Sequence, residues 1–178
     1  MLSLRNRKLI TEPLAGTRSL TGTDEEVEKR RRELLGDSKE IVEHVPSVKA
    51  AREGLDGLCL RGSVVVEDLM SIGERGSVQH LGYSVSGRLL PEKDGWDAFD
   101  ILFLAIAASG IPKDNALEAI HRLEARPREL YLGVIRLLEG TESFEATLDL
   151  RTVFRDQSRR WIQAGEPESL GSLIPNVN

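Results

Sequence analysis

The sequence predicts an α+β domain, an antiparallel β-sheet packed with helices. Three observations predict it. Strand-like and helix-like stretches come in blocks rather than in strict alternation, which favours an antiparallel sheet over a parallel one. Residues 63–89 are rich in β-branched residues and then alternate apolar with polar, the pattern of a strand pair. Capping signals and i,i+4 charge pairs mark helices on either side of that pair. The length agrees: 178 residues, 40% of them hydrophobic, fit one domain able to bury a core.

The elements follow in order. KLITEPL (8–14) reads as a short strand ending in a turn at Gly16. In TGTDEEVEKRRRELLGD (21–37), Thr23 followed by Glu26 is a capping box. Glu25–Lys29, Glu26–Arg30 and Glu28–Arg32 place acid before base one turn apart, and Gly36 is the stop. The KRRR run (29–32) therefore reads as a water-facing helix rather than a phosphate-binding patch. A second helix starts at Asp37 or Ser38, with Ile41, Val45 and Val48 as its apolar stripe and Glu40, Glu43 and Ser47 beside it. Pro46 cannot donate to the carbonyl of Val42 and crowds that turn, so a kink or an early end is expected there. SVVVEDLMSI (63–72) and GSVQHLGYSVSGRL (76–89) are strands. Helices follow over 96–108, ended by Ser109–Gly110, and over 113–125. LYLGVIRLLEG, FEATLDLRTVF and RRWIQAG then read as three strands joined by hairpins.

Composition narrows the function classes. A net charge of −5 gives no field that favours nucleic acid or an anionic membrane surface. The longest apolar run, residues 101–111, falls short of the about 20 residues a spanning helix needs, so a buried helix is expected. MLSLRNRKLI has neither a long apolar core nor a small-residue cleavage site, so no secretory leader is expected. A single cysteine, Cys59, makes no internal disulfide and no metal site alone. A reducing, cytoplasmic setting is the simplest expectation.

The residues that could carry chemistry are few. Glu40 and Glu43 stand three apart on a helix and can share one ligand, with His44 directly behind. Hard cations such as Mg²⁺ take a few carboxylates and complete the shell with water or substrate oxygens. Surface helices carry the same spacing without any ligand, and acid–base work would need a hydrophobic pocket to pull the two pKa values apart. His80 lies on a strand, as a catalytic group or as a satisfied buried one. Arg151 ends an alternating strand, as a carboxylate clamp through its bidentate fork or as half of a salt bridge. Tyr131 opens YLGVI, to donate a hydrogen bond or to pack.

Taken together, PLAGTR (13–18), SKEIVEH (38–44), ERGSVQHLG (74–82), ASGIPK (108–113), EAIHRLE (118–124), LYLGVI (130–135) and LDLRT (148–152) occur in a familiar order. The chain resembles the C-terminal half of the chorismate-utilising enzymes, the anthranilate, aminodeoxychorismate, isochorismate and salicylate synthases. Its versions of KEIVEH and RGSVQHLG read nearly as those of siderophore-type salicylate synthases. The likeness spans about residues 9–165. It implies a partial chorismate-binding domain over 1–165, half of a layered β-sandwich flanked by helices, and a divergent tail over 166–178.

The resemblance also implies a chemistry. The family converts chorismate with one Mg²⁺. In salicylate synthases water adds to the ring to give isochorismate, and pyruvate is then eliminated. Position by position, Glu40 and Glu43 match the first acidic motif at the metal, and Gly16 and Thr17 match a loop that contacts substrate. His80 matches the histidine beside the ring, and Tyr131 and Arg151 match groups that hold a substrate carboxylate. Gly165 matches the first glycine of a turn whose backbone amides meet the other carboxylate.

The chain also departs from the family. It lacks the segment that supplies the water-activating lysine and the general-acid glutamate. It lacks the second Glu-x-x-Glu helix that completes the metal shell, and Glu166 and Glu168 fall too early to replace it. Ala107 stands where salicylate synthases have threonine, Pro46 interrupts the metal helix, and Asp114 stands where small residues are usual. The expectation is a chorismate enzyme active only with a missing half supplied. The alternative is a degenerate, non-catalytic remnant acting through weak ligand binding or protein contacts. Isochorismate or anthranilate is the alternative product. Half a layered sheet leaves apolar surface bare, so self-association is expected.

Overall fold

Two short strands open the chain, one of them absent from the sequence reading. β1 (Leu2–Arg5) pairs antiparallel with β2 (Lys8–Thr11), with Arg5 opposite Lys8. The loop is thus only Asn6 and Arg7, both left-handed at φ 52° and 66°, as a type I′ hairpin requires. Asparagine tolerates that region, whereas arginine does so at a cost. The Arg7 guanidinium is held by the carbonyls of Leu90 and Lys93 and by Glu142. This computed structural model describes residues 1–103, 109–110, 112–124, 128–139, 142–149 and 152–162, without the side chains of Glu43 and Leu69.

The sheet is built around β5 (Val78–Arg88), which forms a hairpin with β4 (Val65–Arg75). On its other side lie β2 and then β3 (Leu14–Ser19), end to end. Past β2 the order continues through β1, β7 (Phe144–Leu148) and β6 (Val134–Leu138). All seven strands pair antiparallel, as the α+β class anticipates. FEATLDLRTVF is not one strand. Its second part, β8 (Val153–Arg155), leaves the sheet and pairs with β9 (Arg160–Ile162) in a separate ribbon.

Four helices are described: α1 (Asp24–Gly36), α2 (Ser38–Asp56), α3 (Gly95–Leu102) and α4 (Lys113–Leu123). The Thr23–Glu26 capping box forms, with both reciprocal hydrogen bonds in place. The basic run on α1 reaches the sheet. Arg30 donates to the Ser19 and Thr21 carbonyls, and Arg31 meets Glu74 and Gln79. Helix α3 carries a second capping box, Asp94 with Asp97. It ends at Leu102, where Phe103 is extended at ψ 153°, so the single helix expected over 96–108 is interrupted there; residues 104–108 lie outside the described residues.

Pro46 does not bring the early end that was one of its two expected effects; α2 continues from Ser38 to Asp56. The Val42 carbonyl that Pro46 cannot serve belongs to the outer side, where Val42 and Val45 are 70% and 55% exposed. Water can take it there, so the lost bond costs little. Val45 is therefore not part of the apolar stripe. The inner face is His44, Val48, Ala51 and Leu55, packed toward the sheet. Leu4, Leu9, Leu55, Leu58, Val85 and Phe144 form the middle of the core between sheet, α2 and α3. Among the described residues no helix is long and apolar enough to cross a membrane.

Candidate functional site

The site starts from an irregularity in β3. Leu14 pairs with Gly82, but Thr17 pairs with His80, so one extra residue is accommodated between them. This is a β-bulge, not the turn expected at Gly16. Bulges re-aim side chains and recur beside functional sites. The two residues that leave the bulge, Gly16 and Thr17, each meet a sequence-predicted site residue.

Gly16 meets Glu40. A Cβ built on Gly16 would lie 2.5 Å from Cδ of Glu40 and 2.8 Å from each carboxylate oxygen. Glycine is needed there because the carboxylate occupies the space a side chain would fill. Glu40 reaches that place because α2 begins just before it. Asp37 caps the helix, its Oδ1 accepting from the backbone N–H groups of Lys39 and Glu40 at 3.1 and 3.4 Å. Arg18, next to Thr17, donates to Asp37 Oδ2 at 3.1 Å. The cap of the acidic helix is thereby tied to the strand that carries the bulge.

Thr17 meets His80. Its Oγ1 lies 2.8 Å from His80 Nδ1, a hydrogen bond that fixes the plane of the imidazole. His80 is only 6% exposed. It is paired across β5 with Thr17 on one side and Gly73 on the other, so it sits in the interior of the sheet beside a residue without a side chain.

One turn after Glu40, His44 turns inward. It is 2% exposed and stacks on Tyr83 of β5, ring centroids 4.2 Å apart. Burial pushes the imidazole down to about 4, so the ring is neutral. Its Nε2 has no hydrogen-bond partner among the described residues. The His44–Tyr83 contact was not anticipated, although its i+4 spacing from Glu40 was visible.

The remaining site residues are placed unevenly. Glu43 stands on α2 one turn from Glu40, with its side chain outside the described residues. Tyr131 is half-buried in the turn before β6, and the N–H of Leu132 donates to the Asp149 carbonyl at 3.1 Å. That places Tyr131 beside the end of β7, two strands beyond β2 in the sheet order. Arg151, Gly165 and Ala107 lie outside the described residues. No three His, Cys, Asp or Glu side chains gather as a metal shell among the described residues. Glu40 alone is a hard oxygen donor of the type Mg²⁺ takes, with water or substrate left to fill the other positions.

Comparison with known proteins shows the family. Residues 1–166 match the chorismate binding enzyme family. The chain is 43% identical over 157 residues to the salicylate synthase of Mycolicibacterium paratuberculosis, covering 88% of this chain and 35% of that protein. It is 34% identical over 178 residues to anthranilate synthase component 1 of Mycolicibacterium smegmatis, covering 100% of this chain and 33% of that one. The crystal structure of anthranilate synthase component I from Streptococcus pneumoniae superposes with a TM-score of 0.75 at 32% identity, over 86% of this chain and 33% of that one. The menaquinone-specific isochorismate synthase from Escherichia coli gives 0.75 at 26%, over 85% and 34%. The chain thus spans about a third of the length of the curated relatives it matches. With its antiparallel sheet, its acidic helix and its bulged strand, the chain belongs to the chorismate binding enzyme family.

Proposed function

We propose that the chain is the part of a salicylate-synthase-like enzyme that carries the first acidic motif and the histidine beside the substrate ring. The reaction is chorismate to isochorismate, by addition of water to the ring as a ring hydroxyl departs, and then to salicylate with elimination of pyruvate. The observation that carries the reading is the bulge: Gly16 abuts the Glu40 carboxylate and Thr17 hydrogen-bonds His80. Identity to a salicylate synthase supports the product over the isochorismate and anthranilate alternatives.

Each residue then has a task. Gly16 leaves room for the Glu40 carboxylate, and Thr17 holds the plane of His80 beside the ring. Tyr131 and Arg151 hold one carboxylate of the dianionic substrate, the guanidinium through its planar fork. The backbone at Gly165 meets the other. Glu40 and Glu43 would hold Mg²⁺, which when bound would stabilise negative charge on the substrate carboxylate. Positioned acid and base groups supply ~10²–10⁴-fold each, and the resemblance assigns both outside this chain.

The test is fluorescence of salicylate. The chain is incubated with Mg²⁺, chorismate and the parts of a salicylate synthase outside the matched region. Emission that disappears with His80→Ala or Glu40→Gln is the expected result. Turnover to isochorismate alone, or to anthranilate when ammonia is added, would move the assignment to those products.

A further inference from the structure

We propose that His44 and Tyr83 are positioning residues whose stacked rings hold the acidic face of α2 at a fixed distance from β5. The inference rests on the metal reading of Glu40 and Glu43. Two carboxylates share a cation well only when both are held within a fraction of an ångström, so what fixes the first turns of α2 matters to binding.

The outer side of those turns faces solvent. Val42 and Val45, on the outer side, are 70% and 55% exposed and pack little. Pro46 takes one N–H out of the helical ladder just beyond the acidic turn. Beyond it Val48 and Ala51 are only partly buried, and the fully buried Leu55 comes about two and a half turns after Pro46. Among the described residues, the Arg18–Asp37 ion pair at its cap and the His44–Tyr83 stack tie the acidic segment to the sheet.

The stack seats the acidic helix on the sheet. His44 follows Glu40 by four positions, so both lie on one helix face, and Tyr83 stands on β5. The rings are nearly parallel, 28° apart, and 2% and 5% exposed. Nε2 of His44 has no partner among the described residues, and the contact the position offers is the stacked planar ring. A phenyl ring should therefore serve, whereas a branched aliphatic of similar bulk should not.

The experiment measures Mn²⁺ affinity of the chain by electron paramagnetic resonance, at a temperature well below unfolding. His44→Leu is expected to weaken Mn²⁺ binding at least tenfold, and His44→Phe to restore it to within about twofold of the wild type. Wild-type affinity in His44→Leu overturns the proposal, as does a His44→Phe variant as weak as His44→Leu. A wild-type chain that takes up no Mn²⁺, or that Glu40→Gln leaves unchanged, removes the metal reading itself and the inference with it. Should His44→Leu fail to fold, Tyr83→Leu removes the other ring of the same stack and is judged by the same two outcomes.

Discussion

Gly16 and Glu40 share one space. A methyl group on Gly16 would overlap the Glu40 carboxylate, 2.5 Å from its carbon and 2.8 Å from both oxygens. Gly16 has no left-handed φ, so the conflict is one of volume and not of backbone conformation. Glu40 is a half-buried side chain with a movable end. Gly16→Ala should therefore fold, at a cost of about 1 kcal/mol, while displacing the carboxylate. The expected result is Mn²⁺ affinity lowered about tenfold or more with only a small change in melting temperature. Unchanged affinity would mean that the carboxylate has no cation to hold.

Much of this arrangement was legible in the chain itself. Thr23–Glu26 capping, the β4–β5 hairpin and the acidic helix all follow from local patterns that the tertiary structure leaves intact. Three features were not legible. The hairpin at Asn6–Arg7 lacks the Asn-Gly signal, because Arg7 is held in its left-handed conformation by contacts with Leu90, Lys93 and Glu142, all distant in sequence. The continuity of α2 through Pro46 depends on which side of the helix faces water, and that is settled by packing. The division of FEATLDLRTVF between two sheets is marked only by a slip in its alternation, where Arg151 and Thr152 stand together before Val153 and Phe154. Of the site, residue types and spacing were readable, whereas the bulge and the His44–Tyr83 stack needed the register of β3 and the seat of α2.

The Thr17–His80 hydrogen bond predicts a separable defect. Thr17→Val keeps the β-branched shape but removes the hydroxyl that lies 2.8 Å from Nδ1. The ring should lose its fixed orientation, seen as a change in the ¹⁵N shifts of the His80 imidazole. Chorismate binding, followed by saturation-transfer NMR, should weaken about fivefold to twentyfold, the 1–2 kcal/mol of a buried hydrogen bond. Thr17→Ser should retain most of both signals. Identical ¹⁵N shifts in Thr17→Val would contradict a role for the hydroxyl in holding the ring.

Cys59 predicts a pH-dependent behaviour away from the site. It is 3% exposed, and burial, helped by the negative charge of Asp56, pushes its thiol up to about 11. An acid whose folded pKa is raised keeps its proton when the unfolded chain has lost its own. Its contribution to stability is intact below about 9 and is lost as pH rises from there toward 11. Thiolate trapping of the native chain at pH 8 should be slow, with the rate still climbing above pH 10. Rapid, stoichiometric labelling at pH 8 would show an accessible thiol. Gly87 packs directly on it, a Cβ there lying 2.7 Å from Sγ, and Gly87→Ala should cost about 1–3 kcal/mol in urea unfolding.

Strand β6 predicts how the isolated chain behaves in solution. It ends the sheet order and, among the described residues, pairs with β7 alone. Its side chains are also uncovered: Ile135, Leu137 and Leu138 are 57%, 59% and 54% exposed. An open strand edge bearing exposed aliphatic residues is a template for further pairing, and natural sheets blunt such edges with charge. Arg136 is the one charged residue of the strand, and its guanidinium lies over the rings of Trp96 and Phe99, 4.8 Å from each centroid, on the side of α3. The other side of β6 presents Ile135 and Leu137 with no charge between them. The chain should therefore self-associate at micromolar concentration, with a sedimentation coefficient that rises with loading concentration. Leu137→Lys places a charge on that side without touching the core and should return the chain toward monomer. A wild-type chain that sediments as a single monomer across the concentration range would show that this edge does not drive assembly.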